Sequence, residues 1–297
     1  MQFLYKVIYH RYVNPILLFI NRVLSKVIKF RLPPSGTITA KLSTGTKFKL
    51  RTNQTSYVTK LLYWNGASSF EYTSIFEKLA RKIESFIDIG ANTGYYSILA
   101  ASVNKEINVH AFEPANGPSY YLRQNINLNG FEQNIKAHSI ALSDKESEVE
   151  FYEVQNSKYR YLKHNLGGVG SLKKESNSKR TSTIVNAIML DTFVMNQGIN
   201  KIDLIKIDTE GTENLILTGA QKTISQFKPI IICETLFNTI EKELEDIMKS
   251  HGYEFYNHID QKLYFSKTLI REKDNKVRDC FFVHPEKYHL IQEFVAN

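Results

Sequence analysis

The run Phe86-Ile87-Asp88-Ile89-Gly90-Ala91-Asn92-Thr93-Gly94-Tyr95-Tyr96, answered by Glu113 nineteen residues after Gly94, constrains the fold of this chain more than any other feature. An apolar strand that ends in a glycine-bounded turn, enters a helix and meets an acid at the end of the next strand describes a cradle for a nucleoside cofactor. The spacing is Asp-x-Gly-x-Asn-x-Gly, with Asn92 where close approach to a pyrophosphate would require glycine. That favours S-adenosylmethionine over NAD. Gly90 and Gly94 allow a tight turn, and the N–H groups that open the following helix at Tyr95 are expected to meet the methionine carboxylate. Asp88 is expected to hold the ammonium or order a water beside it, and Glu113 to accept from both ribose hydroxyls. The polar pair Ser143-Asp144 is a candidate for reading the adenine amino group, although a simple turn would use the same residues.

From Phe86 onward strand and helix patterns alternate, which is the mark of a parallel α/β sheet with right-handed crossovers. Strands are predicted at 85–89, 107–112, 135–140, 202–207 and 229–233, with helices at 94–103, 117–129, 212–225 and 240–250. Two further strands, 253–258 and 280–284, lack helical crossovers. The expectation is a doubly wound sheet of seven strands whose last member runs antiparallel. Ahead of it, Pro33-Pro34-Ser35-Gly36 marks a linker, 37–42 and 46–50 alternate around Gly45 as a β-hairpin, and 55–63 and 70–84 read as helices. The chain thus divides into an N-terminal segment (1–35), a hairpin and helical extension (36–84) and a cofactor-binding domain (85–297). Residues 155–182, rich in Lys, Ser, Asn and Gly, break the rhythm near the carboxyl edge of the sheet; a loop this long is a lid, a binding loop or disorder.

The 297 residues are enough for a full core, and the two cysteines, Cys233 and Cys280, sit in apolar strand patterns that imply a reducing, cytoplasmic setting. A formal net charge of +8 points to an acidic partner without choosing one. No signal peptide is evident, and the apolar run 15–20 is far too short to cross a bilayer. Within 14–31, however, Leu17, Ile20, Leu24, Val27 and Ile28 recur at helical spacing beside Arg22, Lys26, Lys29 and Arg31. Such a helix either lies peripherally in an anionic membrane interface or packs its apolar face on the domain.

A second cluster, Asp203-Leu204-Ile205-Lys206-Ile207-Asp208-Thr209-Glu210-Gly211-Thr212-Glu213, places Asp208, Glu210 and Glu213 within six residues at a strand end. Crowded carboxylates need cations, protons or metal to relieve their repulsion. Lys206 is expected to pair with one of them. Helix capping by Asp208, Thr209 or Thr212 is the competing explanation. Asp191 reads as an N-cap.

Together, Ile-Asp-Ile-Gly-Ala-Asn-Thr-Gly-Tyr-Tyr, Phe-Glu-Pro, Ala-Leu-Ser-Asp, Leu-Asp-Thr-Phe, Ile-Asp-Leu-Ile-Lys-Ile-Asp-Thr-Glu-Gly-Thr-Glu and Gly219-Ala220 resemble the FkbM family of S-adenosylmethionine-dependent methyltransferases over about residues 85–235. The resemblance implies the seven-stranded, Rossmann-like class I methyltransferase fold and O-methylation, often of sugars or secondary metabolites. It puts Gly90, Asn92, Gly94, Glu113 and Asp144 at cofactor positions, in segments that also hold Asp88, Ala91, Tyr95 and Ser143, and puts Asp208 to Glu213 before the acceptor. A sulfonium methyl is already activated, so the protein must align a hydroxyl and remove its proton. Candidate bases are Asp208, Glu210, Glu213 and His164. A divalent ion on Asp208 and Glu210 is not favoured, because two oxygen ligands fall short of a closed site.

The expected acceptor is a hydroxyl of a sugar in a glycan or glycolipid precursor, with Tyr57, Tyr63 and Trp64 as candidate stacking surfaces. A small secondary metabolite, RNA ribose and a non-catalytic cofactor-binding scaffold are the alternatives. Nucleic acid is disfavoured because no RNA-binding module is evident.

Overall fold

A computed structural model of the chain describes residues 1–25, 27, 29–154, 157–167, 170–171 and 180–296. The chain opens with α1 (Gln2–Ile8) and α2 (Asn14–Leu24), followed by an antiparallel hairpin of β1 (Gly36–Lys41) and β2 (Lys47–Thr52). Next come α3 (Tyr57–Asn65) and α4 (Thr73–Ala80). Ser56 caps α3 by accepting from Thr59 N at 3.2 Å, so the boundary lies where the capping residue sets it.

The main domain follows as β3 (Ser85–Ile89), α5 (Tyr95–Val103), β4 (Asn108–Phe112), α6 (Asn116–Asn129) and β5 (Ile135–His138). An insertion made of β6 (Ala141–Leu142), β7 (Ser147–Val154), β8 (Gly170–Ser171) and β9 (Arg180–Ile188) leads into α7 (Leu190–Gln197). The α/β rhythm resumes with β10 (Leu204–Ile207), α8 (Glu213–Thr218), α9 (Gln221–Phe227), β11 (Ile230–Glu234) and α10 (Glu241–Ser250). The hairpin β12 (Glu254–Ile259) and β13 (Lys262–Ser266) and the strand β14 (Asp279–Val283) complete the sheet.

The main sheet has the order β13-β12-β14-β11-β10-β3-β4-β5. Its five central strands are parallel, and β14 lies antiparallel between β11 and β12. The expected seven strands are therefore present, and β13 extends the edge to an eighth. The chain moves outward from β3 through β4 to β5, then returns to β10 on the other side of β3. Ligands in open α/β sheets bind outside the carboxyl ends of the strands at such a switch point.

Alternate residues of the central strands feed two apolar layers, as a sheet covered on both faces requires. Phe86, Leu204, Ile230 and Ile232 face one layer; Ile87, Ile89, Ile205, Ile207 and Ile231 face the other. By the same alternation Asp88 and Lys206, paired in register across β3 and β10, enter the layer of Phe86.

Three expectations change. The single helix expected at 212–225 is broken into α8 and α9 at Gly219, where a Cβ would lie 2.1 Å from the Ser143 carbonyl oxygen, and the Asp191 carboxylate accepts from Lys222 N and Thr223 N to start α9. Within the stretch 155–182, Ser157–Tyr159 form a short 3-10 turn, and Gly170–Ser171 and the start of β9 join a second sheet, order β6-β9-β7-β8, in which β7 and β9 pair antiparallel. Of that stretch, 155–156, 168–169 and 172–179 lie outside the described residues. Finally, the apolar stripe expected on α2 does not pack on the domain: Ile20, Leu24 and Val27 face outward with Ile16, Phe19 and Val23, Leu17 is half-buried, and Asn14 and Leu18 face the protein. Lys26 and Ile28 of the expected stripe lie outside the described residues. Among the described residues no helix is long and apolar enough to cross a membrane.

Candidate active site

A cavity opens at the carboxyl ends of β3, β4 and β10, where the switch point predicts it. Its first wall is the turn after β3. Gly90 is in the left-handed region (φ 72°), and a Cβ there would lie 1.9 Å from the Asp208 carbonyl oxygen, so glycine lets the ends of β3 and β10 meet. Gly90→Ala is expected to cost about 3 kcal/mol from backbone strain and overpacking. A thermal unfolding midpoint equal to that of the parent would contradict this.

The amides of Gly90 and Ala91 donate to the Phe112 carbonyl, that of Asn92 to Glu113 Oε2 at 2.8 Å, and that of Gly94 to the Ala91 carbonyl. These N–H groups are consumed in joining the turn to β4 and in closing it, which leaves the amides that open α5 at Tyr95 as the ones expected to meet a ligand. Ala91, Asn92, Thr93 and Tyr95 line the cavity; Gly94 does not. Gly94 instead allows α6 to approach, since a Cβ there would lie 2.5 Å from Leu122 Cδ1.

Glu113 is buried on the cavity wall and accepts from Asn92 N through Oε2 and from Ala115 N through Oε1, at 2.8 and 2.9 Å. Burial pushes its carboxyl up to about 7 against the pull of those two amides. A carboxylate offers about four acceptor positions, so about two remain for a ligand's hydroxyls. Beside it Phe112, Pro118, Ile140 and Leu142 form an apolar wall suited to a planar base. Ser143 and Asp144 lie beyond that wall, bonded to each other at 3.1 Å, because β6 turns away to pair with β9. They do not line this cavity.

The opposite wall carries charge. Lys206 is almost wholly buried, with Nζ 3.2 Å from Asp208 Oδ2 and 3.9 Å from Asp88 Oδ1. Burial opposes its charge, yet Asp208, Asp88 and Glu71 overcome that penalty and hold the ammonium above the usual lysine range. Asp88 does not reach the cavity surface; its Oδ2 accepts from Ser97 Oγ at 2.6 Å and its burial raises its pKa despite Lys206. In this structure its carboxylate faces Lys206 and Ser97. Asp208, Thr209 and Glu210 line the cavity, whereas Glu213 is spent on the loop, where Oε1 accepts from Thr209 N, Thr209 Oγ1 and Gly211 N. His164 also stays outside, stacked on Tyr120 at 4.6 Å.

The sequence reading missed Glu71. It lines the cavity, accepts from Tyr96 OH at 2.8 Å through Oε2, and has φ 41°. A non-glycine residue in that region is strained, and such strain gathers at functional sites. Gln261 Nε2 donates to the Glu71 carbonyl and helps to hold it there. Burial, joined by Asp208, pushes the Glu71 carboxyl up to about 7 against the effects of Tyr96 and Lys206. A short helical pattern interrupted by an acid was its only trace in the sequence.

Outside the cavity lining, where β11 and β14 pair, burial pushes Glu234 up to about 9 and Asp279 well above the carboxylate range. Protonation therefore relieves part of the crowding around Asp208. No group of three or more His, Cys, Asp or Glu that could hold a metal ion occurs among the described residues. Of the three aromatics expected to stack on an acceptor, Tyr57 lines the cavity mouth and is exposed. Trp64 Nε1 instead donates to the Leu32 carbonyl and Tyr63 lies beneath Arg22, so both fasten the N-terminal segment to the domain.

The model of the methyltransferase FkbM domain matches residues 88–255. Methyltransferase sdnD of Sordaria araneosa is 24% identical over 189 residues, spanning 57% of this chain and 73% of its own. Among solved structures, methyltransferase FkbM from Methylobacillus flagellatus aligns with a TM-score of 0.44 at 16% identity over 68% of this chain. The match spans 43% of that longer protein. The O-methyltransferase from Bacillus cereus in complex with SAH aligns with a TM-score of 0.40 at 12% identity, over 70% of this chain and 79% of its own.

Proposed function

The chain belongs to the FkbM family of S-adenosylmethionine-dependent methyltransferases, and on that premise we propose that it O-methylates a sugar hydroxyl in a glycan or glycolipid precursor. The observation that carries this reading is a single cavity with two unlike ends: a buried acceptor carboxylate, Glu113, beside an apolar wall, and a poised carboxylate, Glu71, beside the Lys206–Asp208 pair. The first end fits the nucleoside of S-adenosylmethionine. Glu113 has acceptor positions left for a vicinal diol, and Phe112, Ile140 and Leu142 flank it as a dry surface for adenine.

When bound there, S-adenosylmethionine supplies an electrophilic methyl group on a sulfonium sulfur. The remaining work belongs to the protein. Tyr57 offers an exposed ring at the mouth on which the apolar face of a sugar can lie. Glu71 takes the proton of the acceptor hydroxyl and leaves the electron pair of the O–H bond on the oxygen. A base whose pKa lies near the working pH is the efficient choice, and about 7 meets that condition. Lys206 offsets the negative charge that Asp208 and an ionised Glu71 would otherwise place side by side. The free, buried Cys233 and Cys280 suit a reducing compartment, and we assign the protein to the cytoplasm, at the inner face of the membrane.

Two substitutions separate the ends of the cavity. Glu113→Ala is expected to weaken S-adenosylmethionine binding at least about ten-fold in calorimetry, because charge-assisted hydrogen bonds are lost. Asp208→Asn is expected to bind the donor normally and turn over more slowly. Equal losses of donor affinity in both would refute the division. For the acceptor, labelled donor and a cell-envelope extract should yield label in saccharide; label confined to RNA or to a small metabolite would replace the sugar reading.

A further inference from the structure

The first thirty residues carry an apolar surface that the domain does not cover. Of the 21 exposed large hydrophobic side chains among the described residues, 12 lie between Met1 and Phe30. They follow helical spacing. On α2 and the turn after it, Ile16, Phe19, Ile20, Val23, Leu24 and Val27 recur at intervals of three and one, pointing away from the protein. On α1, Phe3, Leu4 and Val7 do the same.

The opposite faces of these helices are fastened. Asn14 donates to the Pro33 carbonyl and accepts from Ser35 N, Asn21 donates to the Phe30 carbonyl and accepts from Leu32 N, and Arg22 donates to the Tyr63 carbonyl. Tyr5 and Tyr9 of α1 pack edge-on against Tyr159. The outward apolar stripe is thus built into the contacts that hold the segment in place.

Charge says what covers it. Eleven of the 38 Lys and Arg residues, and none of the 30 Asp and Glu residues, fall within residues 1–70; that part carries +11, and the remaining 227 residues carry −3. The whole positive excess of the chain lies in the part that bears the stripe. A protein partner would have to be both apolar and strongly acidic to match, whereas an anionic bilayer offers both properties in one surface.

We propose that α1 and α2 lie in the interface of an anionic lipid bilayer, with Ile16, Phe19, Val23 and Phe3 among the acyl chains and Lys6, Arg11 and Lys29 at the headgroups. The contact reaches the cavity. Residues 157–159, against which α1 packs, continue to Asn165, Leu166 and Gly167, which form part of the cavity wall. Docking therefore brings the mouth near the bilayer, where a lipid-linked acceptor would be presented.

Flotation of the full chain with vesicles tests this and requires no methyl transfer, so its outcome is independent of the acceptor reading. Binding is expected to vesicles of phosphatidylcholine with phosphatidylglycerol, to fall with salt, and to be weak on phosphatidylcholine alone. Phe19→Ser with Val23→Ser should abolish it, while Lys6→Gln and Lys29→Gln should each weaken it about five-fold. Calorimetric S-adenosylmethionine binding should persist in all these variants, showing that they fold. No binding by the parent chain to the anionic vesicles, equal binding by the serine variant, or a parent dimer that the serine variant dissolves would overturn the proposal.

Discussion

Glu71→Gln is expected to lower kcat by roughly 10²–10⁴-fold, the range lost when a positioned general base is removed, while S-adenosylmethionine binds as before. The change is chosen to be nearly silent structurally. An amide oxygen can still accept from Tyr96 OH, and the residue keeps its carbonyl for Gln261. What disappears is the ability to take a proton. In the parent, activity should fall as pH drops through about 7, because the base is inactive once protonated. The direction follows from the groups around it: burial and Asp208 disfavour a further negative charge, and Tyr96 and Lys206 only partly restore it. The variant's kcat at saturating S-adenosylmethionine should lack this acid limb, since titration of Glu113, also near 7, acts on donor affinity. Retention of the limb at a normal rate would refute Glu71 as the base.

The second large effect concerns stability. Lys206→Met is expected to cost about 3–5 kcal/mol, because it leaves Asp88 as a buried charge without its cation. Asp88 is almost fully enclosed, and its Oδ1 has no hydrogen-bond partner among the described residues. The deficit has a predictable pH dependence. Burial already raises the Asp88 pKa in the folded protein, and loss of Lys206 raises it further. A folded-state carboxyl above its unfolded value, near 3.9, binds more protons folded than unfolded between the two pKa values. Stability contributed by that group is therefore lost as pH rises through the window, and regained as pH falls. Urea unfolding should show the variant closer to the parent at pH 5 than at pH 8. A deficit that grows on acidification would mean that Asp88 is not the group left uncompensated.

The parts of this molecule that were legible in the sequence are those set by short-range pattern. Phe86 to Tyr96 declares a strand, a turn and a helix in one run, and the alternation of such units fixes the parallel centre of the sheet. The strands β7 and β9 were not legible, because their pairing partners are separated by the polar stretch that divides them. Gly219 was visible as part of a motif, but only the approach of Ser143 explains why the helix stops there.

The site divides along the same line. Gly90, Asn92, Glu113, Lys206 and Asp208 sit on or directly after strands whose ends converge at the switch point, so sequence position implies spatial position. Ser143, Asp144, Glu213 and His164 have equally suitable chemistry, and nearby turns and contacts keep them out of the cavity. Glu71 is the converse case. It lies in the extension before the first central strand, where spacing gives no signal, and it reaches the cavity because α4 packs across α5.

By itself, then, the sequence determined the kind of sheet, the cofactor end of the site and the presence of a basic amphipathic segment, since each depends on periodicity or on neighbours within one turn. Only the tertiary structure decided which carboxylate is poised beside Lys206 and which way the apolar stripe of α2 faces. Both depend on contacts between residues far apart in the chain: Glu71 with Tyr96 and Lys206, and Asn14 and Arg22 with the segments that turn the helix outward.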